Sequence, residues 1–226
     1  MSPTVPTRWA TFDCYGTLID WNEGITAELV RVFGEPARTA DEPALGPHPL
    51  LERYHELERE LERDGSRTYR EVMTEVMRRL GAPAGEESGL ADSLPGWRPF
   101  AEVPATLEEL RRRGWKLALL SNSDSDLIAA SKQQLGVEFD ETVVASEIHS
   151  YKPGLAHWIE FYGRTLADKR RHVHVAASLY HDIAPAARLR LPSVWINRLG
   201  EHPGPSPTVE LTDLSGLPDA VEGLIS

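Results

Sequence analysis

Short apolar runs alternate along this chain with longer stretches in which apolar residues recur at helical spacing. The runs cover 9–12, 115–120, 142–145, 172–176 and 193–196. They are too short for helices, and several are rich in Val, Ile, Trp or Phe, so they read as strands. The stretches between them carry readable helix ends. Thr106-Leu-Glu-Glu109 has the form of a capping box, and the helix it opens is expected to stop at Gly114, after the basic run 111–113. Further helices are expected over 126–135, 156–166, 185–189 and 217–225. Buried strands alternating with helices predict an α/β fold, a parallel sheet covered on both faces.

One segment departs from the alternation. Residues 20–97 hold helical patterns and loops but no convincing strand. A charge-rich helix is expected over 50–64, and Thr68-Tyr-Arg-Glu71 is a second capping box opening a helix that stops at Gly81. The stretches 36–49 and 82–95 are rich in loop-forming residues and are expected to be irregular, as is the Pro-rich loop 202–207. The expected organisation is therefore a core made of 1–19 and 98–226, with a helical module, 20–97, inserted after the first strand.

Composition narrows the function classes. A length of 226 residues suits one domain with an insertion. Asp and Glu outnumber Lys and Arg, 35 to 24, and a net charge of −11 is poorly suited to gripping phosphate backbones, so nucleic-acid binding is not expected. No apolar run approaches the roughly 18 residues of a membrane span. Residues 1–6 have neither the basic start nor the apolar stretch of a secretory signal, and a cytoplasmic location is expected. Cys14 is the single cysteine, which excludes an intrachain disulfide and a cysteine-based zinc site.

In an open parallel sheet, ligands bind beyond the carboxyl ends of the strands. The first strand is followed by Asp13-Cys-Tyr-Gly-Thr17, the second by Ser121-Asn122, the third by Lys152, and the fourth by Ser178 with His181-Asp182. Each has a bland reading: Asp13 as a turn residue, Ser121, Asn122 and Asp182 as helix caps, Lys152 as a solvated charge. Four such groups at one sheet edge point instead to a site. There Asp13 is suited to act as a nucleophile that forms a covalent ester, with Lys152 holding it. Thr17, Ser121 and Asn122 offer neutral donors. Asp182 could hold Lys152 or help activate the water that cleaves the ester.

These segments, Asp13-Cys-Tyr-Gly-Thr17-Leu18, Leu120-Ser121-Asn122, Tyr151-Lys152-Pro153 and Val175-Ala-Ala-Ser178-Leu-Tyr-His-Asp182, resemble the four motifs of the haloacid dehalogenase superfamily. Pro99-Phe-Ala-Glu-Val-Pro104 and Val194-Trp-Ile-Asn-Arg198 look like phrases of its L-2-haloacid dehalogenase branch. The resemblance implies a Rossmann-like core with a helical cap. Most members are magnesium phosphatases with Asp-x-Asp at the first motif and Gly-Asp at the fourth. Here those positions hold Tyr15 and Ala176-Ala177, which removes a general acid and a carboxylate ligand.

The branch it resembles uses no metal and no cofactor. Its aspartate displaces halide from the carbon alpha to a carboxylate, and water hydrolyses the ester. A short 2-halocarboxylate is the implied substrate, and a homodimer the implied assembly. Arg53 matches the cap arginine that helps bind halide. The chain also departs from the branch: Leu179 stands where an asparagine helps position water, Trp158 where a tyrosine is usual, and His181 where a tryptophan is usual. Tyr15, Leu179, Trp158 and His181 are thus expected around the substrate, and Ser178 among the catalytic residues. Two other readings stay open, a related hydrolase, either a phosphatase or one cleaving another carbon–heteroatom bond, and a silent homologue that binds a small acid.

Overall fold

The computed structural model describes residues 7–35, 49–63, 65–202 and 204–225. Among them, six parallel strands form one sheet: β1 (Arg8–Phe12), β2 (Trp115–Ser121), β3 (Glu141–Val144), β4 (His172–Ala176), β5 (Ser193–Ile196) and β6 (Val209–Leu211). They lie in the order β3-β2-β1-β4-β5-β6. From β1 the chain passes through an excursion to β2 on one side and later crosses back to β4 on the other. That reversal opens a crevice at the carboxyl end of β1.

The central strands β1, β2, β4 and β5 are largely buried on both faces, so apolar side chains pack on either side of the sheet. On one side Ala10, Phe12, Leu117 and Leu119 meet α5 (Val103–Arg112), α6 (Ser125–Leu135) and α10 (Leu217–Leu224). On the other, Trp9, Ala118, Leu120 and Val143 meet Trp158 and Phe161 of α8 (Ala156–Thr165) and Ala186 of α9 (Ala184–Arg188). A four-residue helix, α7 (Ala145–Ile148), follows β3. None of the described helices is long and apolar enough to cross a membrane.

Three boundaries differ from the sequence pattern. The helix of the first capping box starts a turn earlier: Pro104 sits in the first turn of α5, where its fixed φ and missing N–H cost nothing, and Thr106 lies inside with its hydroxyl donating to the Leu214 carbonyl at 3.3 Å. The stretch 82–95 is not wholly irregular, because burial of Leu90, Ala91 and Leu94 draws it into the short helix α4 (Gly89–Ser93) and a 3-10 turn. The edge strand β6, half-buried and three residues long, has too little periodicity to be read from sequence. The loop expected over 36–49 lies outside the described residues up to position 48, and so does Asp64.

Helices α1 (Trp21–Phe33), α2 (Pro49–Glu62), α3 (Tyr69–Leu80) and α4 form the excursion between β1 and β2. Ile25 and Leu29 of α1, Tyr54, Leu57 and Leu61 of α2, and Val72, Met73, Val76 and Met77 of α3 are buried in one cluster. The start of α3 is shared with the core. Thr68 and Glu71 form the expected capping box, which satisfies the Glu71 N–H. The two preceding donors, the Tyr69 and Arg70 N–H groups, go to the carboxylate of Asp124 in the loop after β2, both at 2.9 Å. An acidic side chain at a helix N-terminus also meets the positive end of the helix dipole. We expect Asp124→Ala to lower stability by about 1–2 kcal/mol, measured by urea denaturation; an unchanged midpoint would show that water replaces the carboxylate without loss.

Candidate active site

Asp13 follows β1 directly, and its N–H continues the ladder to the Val175 carbonyl at 3.1 Å. The next residues turn back tightly, with the Leu18 N–H on the Cys14 carbonyl and the Gly16 N–H on that of Ile19, both at 2.8 Å. Gly16 takes a φ of +83°, and a Cβ there would stand 2.8 Å from the Trp21 ring, so only glycine fits. The turn brings Thr17 back over Asp13. Its hydroxyl donates to Asp13 Oδ2 and accepts the Ala177 N–H, both at 2.9 Å, tying the loops after β1 and β4 together. Arg198 steadies the turn from outside by donating to the Thr17 carbonyl at 3.0 Å.

Lys152 reaches this point from the loop before α8. Asn122 holds its backbone from both sides, accepting the Lys152 N–H at 2.6 Å and donating to the Lys152 carbonyl at 3.1 Å. The ammonium is 2 % exposed and has three acceptors: Asp13 Oδ1 at 2.9 Å, Asp182 Oδ1 at 2.7 Å and the Leu120 carbonyl at 2.8 Å. All three of its donors are used. Burial opposes its charge, but the two carboxylates outweigh burial and push the amine up to about 12.

The carboxylates divide. Burial raises Asp13 above the ordinary range despite Lys152, and the nearby Asp182 raises it further. Burial also acts on Asp182, but Lys152 and His174 overcome it and hold that group well below the ordinary range. Two carboxylates share one ammonium, and Asp13 is the one whose ionised form is less stabilised. A hard cation that takes about six oxygen ligands finds here two carboxylates already committed to an ammonium, with Tyr15 and Ala177 beside them. Among the described residues no group of three or more His, Cys, Asp or Glu side chains is placed to hold a metal ion.

Several of the other expected residues meet here. Ser121 is buried at the end of β2, and its hydroxyl has no partner among the described residues. Ser178 caps the turn Leu179–Ile183, accepting the His181 N–H at 3.0 Å, so it shapes the loop and makes no hydrogen bond to Asp13. Leu179 opens that turn, partly exposed. His181 faces the helical excursion, with Nε2 3.5 Å from Glu62 Oε2, and burial lowers its pKa. Tyr15 stacks on Tyr69 with ring centroids 6.1 Å apart and forms a hydrogen bond with Ser131 at 3.0 Å, so it contributes an aromatic wall whose hydroxyl is already engaged.

Two expectations are corrected. Arg53 lies outside the crevice: the buried face of α2 runs through Leu51, Tyr54, Leu57, Glu58, Leu61 and Glu62, and Arg53 points away from it, its side chain 56 % exposed and paired with Glu56. Trp158 is fully buried beneath the sheet, edge-to-face with His174 at 5.1 Å, because the inner face of α8 packs on the strands.

In place of an arginine, α2 presents Glu58 and Glu62, which sequence reasoning missed. Their spacing of four places both on the buried face, a signal available from the apolar stripe around them. Glu58 accepts from the Tyr69 and Tyr54 hydroxyls at 2.7 and 3.2 Å. Glu62 lies 3.4 Å from the Asn122 amide, and burial, with Glu58 next to it, raises its pKa well above the ordinary value. The roof thus carries a carboxyl that holds its proton to higher pH than a solvated glutamate.

Residues 7–188 match the haloacid dehalogenase-like hydrolases. The chain belongs to that family. It is 31% identical to the (S)-2-haloacid dehalogenase of Pseudomonas sp. (strain YL) over 220 residues, 93% of each chain. Haloacetate dehalogenase H-2 of Moraxella sp. (strain B) is 30% identical over 125 residues, covering 54% of this chain and 55% of that protein. The fold is that of the L-2-haloacid dehalogenase from Xanthobacter autotrophicus with chloropropionic acid covalently bound, at a TM-score of 0.81 and 17% identity over 96% of this chain and 99% of that one.

Lys152→Ala should destabilise the protein by about 3–5 kcal/mol, since it strands two buried carboxylates. Both then titrate above their unfolded value, so the folded state binds protons the unfolded state does not, and stability falls as pH rises. The deficit relative to the parent should therefore grow between about pH 4 and pH 7 in urea titrations. A deficit independent of pH would show that the lysine does not hold these carboxylates ionised.

Proposed function

We propose that the chain is a metal-independent dehalogenase of short 2-halocarboxylates that works through an ester on Asp13. The observation that carries this reading is the buried Asp13–Lys152–Asp182 triad, in which an ammonium of the protein stands between the two motif carboxylates. The relatives named (S)-2-haloacid dehalogenase and haloacetate dehalogenase support the substrate class.

In the first step an Asp13 oxygen attacks the halogen-bearing carbon, the C–O bond forms, and the C–X electron pair leaves as halide. Halide needs no proton, so Tyr15 in place of an acid is no obstacle. The substrate carboxylate finds a free donor in Ser121 and, in Glu62, a carboxyl whose raised pKa favours the protonated, donating form. In the second step water adds to the ester carbonyl of Asp13 and gives up a proton. The acyl–oxygen bond breaks, the departing alkoxide takes that proton and leaves as the 2-hydroxy acid, and Asp13 returns to the carboxylate by losing water's second proton to solvent. Asp182 Oδ2, which has no partner among the described residues, is the oxygen free to accept the first proton, and with its pKa held low it carries the proton only in transit to the alkoxide. The helical excursion serves as the cap that covers these steps.

Halide release from each enantiomer of 2-chloropropionate and 2-bromopropionate should persist with a chelator present and favour one enantiomer. Asp13→Asn should lose it by at least about 10³-fold while keeping the fold. Magnesium-dependent turnover of a phosphate ester, with no halide release, would replace this reading by the phosphatase one.

Glu62 sets a pH limit on binding. It faces Glu58 on its own helix and Asn122, His181, Lys152 and Asp13 from the core. Its raised pKa keeps it neutral until pH climbs through that value, after which it repels an anionic substrate. KM should therefore rise at high pH in the parent and stay level in Glu62→Gln; a parallel rise in both would remove Glu62 from substrate binding.

A further inference from the structure

Strand β4 reads His-Val-His-Val-Ala, and both histidines are fully buried in a strand where apolar residues would pack at no polar cost. They are linked in an unbroken line to the active site. His174 Nε2 is 3.0 Å from Asp182 Oδ1, and His174 Nδ1 is 2.8 Å from the hydroxyl of Thr11, its register partner on β1. That hydroxyl is 2.7 Å from His172 Nε2, and His172 Nδ1 is 2.7 Å from the phenol of Tyr162 on α8.

Chemistry orders the donors. A carboxylate only accepts, so His174 Nε2–H donates to Asp182. With His174 Nδ1 as an acceptor, the Thr11 O–H donates to it and Thr11 Oγ1 accepts from His172 Nε2–H. Burial keeps His172 uncharged, and its Nδ1 accepts from the Tyr162 O–H. Every hydrogen points towards Asp182, and each bond in such a chain polarises the next. The same order makes the line a poor exit for a proton, since Asp182 faces no acceptor along it.

We propose that His174, backed by Thr11 and His172, is a positioning residue for the hydrolytic step: it shares Asp182 Oδ1 with Lys152 and so leaves Oδ2 as the one oxygen that can take a proton from water. The two donors on Oδ1 fix the rotation of the carboxylate, as second-layer hydrogen bonds fix a catalytic group. This matters more here than in a site with a water-positioning asparagine, because Leu179 offers none. The inference rests on the dehalogenase reading for its kinetics but not for its geometry.

The test compares His174→Leu with His174→Gln, which keeps an N–H donor. In single turnovers His174→Leu should release its first halide within about threefold of the parent. Its steady-state rate should fall about 10²-fold, with the alkylated protein accumulating by intact mass. His174→Gln should recover most of the second step. Burst and turnover falling together, or Gln as slow as Leu, would overturn the proposal. If neither variant folds, Thr11→Val makes the same split one bond further back. A parent that releases no halide overturns the dehalogenase reading alone. Imidazole nitrogen shifts then read the line directly: both histidines should be Nε2–H tautomers, and an Nδ1–H tautomer at His174 would overturn the arrangement.

Discussion

A buried ammonium with all three hydrogens committed is the constraint on which this molecule turns. Removing Lys152 from water is costly, and only the two carboxylates and the Leu120 carbonyl around it offset that cost. The surrounding structure holds those partners at fixed distance. Asn122 grips the lysine backbone, the Gly16 turn returns Thr17 to Asp13, and His174 takes part of the charge of Asp182. The sheet order matters because it places the ends of β1, β2 and β4 side by side, so three chain segments far apart in sequence meet at one cation.

The roof of the crevice follows a different logic from the floor. A floor of two carboxylates and one ammonium offers an anion few donors, and the excursion presents carboxyl groups where an arginine was expected. Burial reconciles the two. Burial raises the pKa of Glu62, and a carboxyl that carries its proton is a donor. Glu58 serves beneath it, taken up by two tyrosine hydroxyls and adding to the pressure on Glu62 to stay neutral.

Much of this was legible in the residues. Strand positions, the helical excursion, the Thr68 cap and the convergence of Asp13, Lys152 and Asp182 follow from periodicity and from where polar residues interrupt it. What motifs do not carry is direction. Arg53 and Trp158 occupy motif-matched positions, yet one faces solvent and the other the underside of the sheet, because the helix face they lie on is decided by their neighbours. The apolar stripe of α2 would have placed Glu58 and Glu62 inward and Arg53 outward. His172, His174 and Thr11 were hidden for another reason: a polar residue in a buried strand declares its partner only when the strand order is known.

Asp124 carries one more consequence. It closes the first turn of α3, and it stands two residues from Asn122 and three from Ser121 in the loop that follows β2. The residues that would touch a ligand and the residue that seats the helical excursion therefore share one short stretch of backbone. Any displacement of that stretch by an occupant is felt at the helix start, and any loosening of the helix start shifts the donors offered to the occupant. Occupancy and seating are two ends of a single lever only four residues long.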